Sequence, residues 1–112
     1  MAIVLTSKSR TARLVFSGDP AAPASADKAA KAWVPADGAG AGATVAEVRA
    51  LSWLEWTEVE ALAPDRQVVR VVELALVSFD GDRKVAEAFL ADPAAELMVP
   101  LYRAISDLTW GN

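Results

Sequence analysis

The chain has 112 residues, 54% of them hydrophobic and 23% charged, with 11 Lys and Arg against 15 Asp and Glu for a net charge of −4. That length suits one domain with a single core. The acidic balance and the scattered basic residues argue against nucleic acid as a partner. With no cysteine and no histidine, disulfide frameworks, thiolate or imidazole metal sites and the commonest general base are all excluded.

"AIVLT" (2–6) reads as a short strand and "SKSR" as a turn. "TARLVFS" (11–17) alternates, with Ala12, Leu14 and Phe16 on one face and Thr11, Arg13 and Val15 on the other, as a half-buried strand does. Residues 18–43 are rich in Ala, Pro and Gly. Within them "SADKAAKAW" has the composition for two helical turns capped by Ser25 or Asp27. The segment reads as a loop insertion or as a mobile arm that orders on binding. "TVAEVRA" (44–50) resumes the sheet as a third antiparallel strand.

"SWLE" (52–55) fits a capping box, with Ser52 and Glu55 exchanging side-chain and backbone hydrogen bonds at the start of a helix over 52–63. Pro64 stops that helix and opens the next, over 65–79. There Arg66, Arg70 and Glu73 form a narrow polar stripe on an otherwise apolar cylinder, and the β-branched run Val68, Val69, Val71 and Val72 supports a competing strand reading. "DGD" (80–82) marks a turn in which Gly81 takes positive φ. Helices over 83–91 and 94–109 follow. In the last, Leu97, Met98, Leu101, Tyr102, Ala104, Ile105 and Leu108 share a face, and Pro100 either kinks or begins the helix. The expected fold is α+β: a small N-terminal antiparallel sheet followed by a bundle of three to four helices, all in one domain.

No phosphate-binding loop is present, and "GAGAG" (38–42) lacks the strand-and-helix context of a dinucleotide site. The carboxylates Glu55, Glu58, Glu60, Asp80 and Asp82 read as helix surface and turn residues rather than as a catalytic or calcium set. No enzyme activity, cofactor or metal is expected. No apolar run approaches the roughly 20 residues of a membrane span, and the N-terminus does not have the pattern of a signal peptide.

The tryptophans are the candidate binding residues. At about 100° per residue, Trp53, Trp56, Val59 and Ala63 lie on one side of their helix, and Leu54 and Leu62 on another. Two apolar sectors on one helix imply either a sandwiched helix or a surface kept for a partner. Trp is enriched at interface hot spots and is equally common in cores. Trp53, Trp56, Val59, Trp33 and Trp110 are therefore the predicted partner-binding set.

From Val45 to the C-terminus the chain resembles the tail assembly chaperones of long-tailed bacteriophages. The resemblance rests on "VAEVRALSWLEWTEVEAL", a strand ending in "VRALS" before an acid-capped helix, on "VVRVVELALVSFDG", and on "AISDL" followed by the short end "TWGN". Trp53 and Trp56 stand where the family more usually has polar residues. The resemblance implies a non-catalytic protein of the infected bacterial cytoplasm, made in that family often as a short and a frameshifted long form. Such a protein coats the tape-measure protein, helps recruit tail-tube subunits and leaves before the virion is complete. Self-association is compatible with this role. The alternative is a structural virion component (a neck, tail-completion or head-associated subunit), with residues 18–43 ordering between subunits. A third is a non-phage adaptor or antitoxin-like regulator.

Overall fold

The computed structural model describes residues 10–111, so the strand expected over 2–6 lies outside the described residues. The fold is α+β. Its sheet contains β1 (Thr11–Phe16), β2 (Trp33–Pro35), β3 (Val45–Arg49) and β4 (Leu76–Phe79), antiparallel throughout in the order β2-β1-β3-β4. The helices are α1 (Trp53–Glu60), α2 (Pro64–Ala75), α3 (Arg83–Ala91) and α4 (Ala95–Trp110).

Alternation in β1 sets its pairing. Leu14 lies opposite Pro35 and Ala46, and Val15 opposite Val34 and Val45. The Leu14 face meets the helices, and its core runs through Val48, Val72, Leu76, Leu101 and Ile105. The other face is not simply solvated, because Val15 and Ser17 are fully buried. Residues 18–43 account for this. They form neither a loose arm nor the expected helix at 25–33, but a series of turns on either side of β2, which joins the sheet itself. Ser17 N–H donates to the Ala32 carbonyl, Ala36 N–H to the Arg13 carbonyl, and Gly40 N–H to the Ala21 carbonyl. The Asp19 carboxylate accepts from the Ala21 and Thr44 amides, closing the segment at its base. Those amides, Ala21 first, hold the Asp19 carboxyl below its ordinary range. Pro23 is buried, and it lines a small depression together with Val34.

The run 65–79 is helix and strand in succession. Helix α2 ends at Ala75, and Leu76 turns extended (ψ 116°) to pair with Val48. The sheet thus takes its fourth strand from after two helices; α3 and α4 contact the sheet, while α2 packs on α4 and α1 on α2. Asp80 and Gly81 (φ 52° and 77°) make the two-residue turn after β4, where Phe79 and Asp82 exchange backbone hydrogen bonds. The Asp80 side chain accepts from the Val45 amide, and Asp82 caps α3. Arg83 reaches back to donate to the carbonyls of Leu76 (2.6 Å) and Val77 (3.2 Å).

Helix α4 contacts β1, β2 and β3 on one side and α2 on another. It begins at Ala95, two residues beyond Pro93, with Ala94 as its uncapped N-terminal residue, and it runs through Pro100 to Gly111 at φ 76°. Among the described residues no helix is long and apolar enough to cross a membrane.

Candidate functional site

The start of α1 is held from three directions. Ser52 Oγ accepts from the Glu55 amide (3.2 Å), and Glu55 Oε1 accepts from the Ser52 amide (2.9 Å), completing the predicted capping box. From the end of β3, Arg49 forks onto both Glu55 oxygens at 2.8 and 2.6 Å. That two-pronged bond is the main reason the Glu55 carboxyl falls from 4.5 to about 2, with burial opposing it and the Ser52 amide assisting. The third hold is Thr109 near the end of α4, whose hydroxyl accepts from the Leu51 amide at 3.0 Å. The Thr109 carbonyl in turn accepts from Arg10 at 2.8 Å.

This bracing sets the end of α4 beside the first turn of α1 and so gathers three indoles. Trp110 meets Trp56 at 5.3 Å and Trp53 at 6.4 Å between ring centroids, with interplanar angles of 89° and 86°. Edge-to-face contact of this kind is favourable in itself. Trp56 is half-buried against the core, but Trp53 is 68% exposed, Trp110 48% and the neighbouring Leu54 79%. A slot of about 200 Å³ opens among Leu51, Ser52, Trp53, Trp56, Thr109 and Trp110. The fixed backbone and mutually packed rings leave little side-chain entropy to lose on contact.

The charge around this patch is one-sided on α1, which carries Glu55, Glu58 and Glu60 and no cation. Glu55 is taken by Arg49, and Glu58 meets Arg70 at 3.1 Å. Glu60 is exposed and has no ion-pair partner among the described residues. The last turn of α4 has no basic residue of its own to offset the negative end of its dipole.

Of the five predicted contact residues, Trp53, Trp56 and Trp110 come together. Val59 (1% exposed) and Trp33 (8%) do not join them: both are core. Val59 shares the tryptophan side of α1, but α2 packs against α1 and covers it. Trp33 donates to the Leu97 carbonyl at 3.2 Å and packs edge-on to Phe16. Leu54, assigned by the wheel to a separate sector, is the most open large apolar residue of the patch.

A second surface includes one of the predicted residues, Trp33, in its wall; the rest of it was not foreseen. A groove of about 610 Å³ is walled by Phe16, Trp33, Phe79 and Phe89, with Asp19, Thr44 and Glu96 on its lining. Its walls come from four separate parts of the chain, which no local motif could reveal. No group of three or more His, Cys, Asp or Glu side chains able to hold a metal occurs among the described residues. Both surfaces offer burial of apolar area. In comparisons with known proteins, no protein family, curated protein or solved structure matches this chain.

Proposed function

We propose that this chain is a non-catalytic phage tail assembly chaperone, acting in the cytoplasm of the infected bacterium, that binds the tape-measure protein and helps recruit tail-tube subunits. The reading starts from the resemblance of residues 45–112, and the observation that carries it furthest is the exposure of Trp53 and Trp110, whose rings pack together, with Leu54 open beside Trp53 in the chain. Those three side chains expose on the order of 400 Å², about half of what each partner brings to a standard stable interface. A contact of that size suits a protein that must hold and then leave. Many weak contacts repeated along one long partner gain strength by multivalency, without any single site binding tightly.

The alternative of a virion subunit needs residues 18–43 to order between neighbours. Those residues already hydrogen-bond within their own chain, Ala32 with Ser17, Ala36 with Arg13 and Asp19 with Thr44, so they lend that reading no added support. The test is co-expression of the tape-measure protein with this chain, followed by mass spectrometry of purified particles. The expected outcome is soluble tape-measure protein and a chain depleted from virions. Equal aggregation with and without the chain would refute the chaperone role, and stoichiometric presence in virions would favour the structural alternative.

A further inference from the structure

We infer that the Trp53–Leu54–Trp110 patch, together with Glu60, docks an amphipathic helix of a partner that carries a large aliphatic side chain for the tryptophan slot and a Lys or Arg about two helical turns away. This names the chemistry of the partner and rests on the chaperone reading for what that partner does.

Two observations select the occupant. The first is geometry with charge. Trp53 and Glu60 are seven residues apart on α1, so they lie within about 20° of one another on the wheel and about 10 Å apart along the axis. The stripe therefore runs from an exposed indole to an exposed carboxylate that has no ion-pair partner among the described residues. Helices crossing at about 20° stay in contact over such a span, so one partner helix can fill the slot and meet the carboxylate. The second is size. The exposed area is about half of what each subunit of a stable dimer buries, which favours a separate partner over a second copy. A cationic helix satisfies both constraints.

The experiment uses the full chain and two synthetic alanine-based 21-residue helical peptides lacking Trp and Tyr. Each has Leu at its centre. One has Lys seven residues to either side, so that its polarity on α1 does not matter, and the other has Glu at those positions. Indole emission reads binding. The Lys peptide is expected to shift the emission to the blue and to bind at least about fivefold more tightly than the Glu peptide at low salt. Glu60→Lys should reverse that order, and Trp53→Ala should weaken the Lys peptide by about 30-fold. Both positions are exposed, so the fold should survive either change.

Equal binding of the two peptides, no binding of either, or indifference to Trp53→Ala would overturn the inference. So would a concentration-dependent dimer that Trp53→Ala abolishes, since the occupant would then be a second copy. Tape-measure solubility that persists while the peptides fail would leave the chaperone reading standing without this surface. Peptide binding with no effect on tape-measure solubility would keep the surface and discard the chaperone reading.

Discussion

Replacing Glu55 with Gln removes the charge that Arg49 grips but leaves an amide oxygen to accept from Ser52 N–H. The depression of the Glu55 carboxyl from 4.5 to about 2 corresponds to about 3 kcal/mol if taken whole. Both side chains keep about a quarter of their surface in water (28% and 24%), so screening and solvation lower the stabilising contribution to about 1–2 kcal/mol. For a domain of this length that is a fall in melting temperature of roughly 4–8 °C. The pH dependence follows from the direction of the shift. The carboxyl is harder to protonate in the folded chain, so the stabilisation is complete above the unfolded-state value of 4.5 and is lost as pH falls toward 2. Urea unfolding of the wild type and Glu55→Gln should differ by the full amount near pH 7 and by less than about half of it near pH 3. A gap that stays constant across this range would show that the charge of the pair is not what stabilises the start of α1.

Three further outcomes are expected from the same unfolding assay. Trp33→Phe keeps most of the apolar bulk but removes the indole donor to the Leu97 carbonyl and leaves the rest of that carbonyl's helical bonding in place, and should cost about 0.5–1.5 kcal/mol; a neutral result would remove that bond from the account of the core. Gly81→Ala meets no atom within 4 Å, so its cost should be the backbone strain at φ 77° alone, about 1–2 kcal/mol. Gly81→Asn should cost less, because Asn tolerates that region; equal costs would contradict the turn geometry. Trp53→Ala should cost about 1 kcal/mol or less, mainly the edge-to-face contact with Trp110, whereas the half-buried Trp56 should cost several times more when truncated; a severe loss at Trp53 would make it a core residue.

Elements specified by local chemistry were legible in the sequence. The alternation of β1, the Ser52–Glu55 box, the Asp80–Gly81 turn and the apolar face of α4 each depend on residues a few positions apart, and each is present. What failed was decided by distant partners. The run from Val68 to Phe79 has no glycine or proline to mark a change of state. Its switch at Leu76 is set by pairing with Val48, and burial on both sides of the switch erases the periodicity that separates helix from strand. The two-turn helix at 25–33 had only its own marginal propensity, and it lost to the pairing of Trp33 with Phe16 and the burial of its indole. The candidate site was half legible. The wheel grouped Trp53 with Trp56, but it could not know that α2 hides Val59 or that Thr109 brings Trp110 across from the far end of the chain.

The two outer strands carry a consequence for assembly. At one edge β2 is only three residues long and ends in Pro35, which has no N–H to offer. At the other, the carbonyls of Leu76 and Val77 in β4 are occupied by the Arg83 guanidinium. Among the described residues neither rim is a ready template for an incoming strand. Copies of this chain brought close together are thereby kept from joining edge to edge into a continuous sheet. What the surface leaves open to contact is side chains, Trp53, Leu54 and Trp110 foremost.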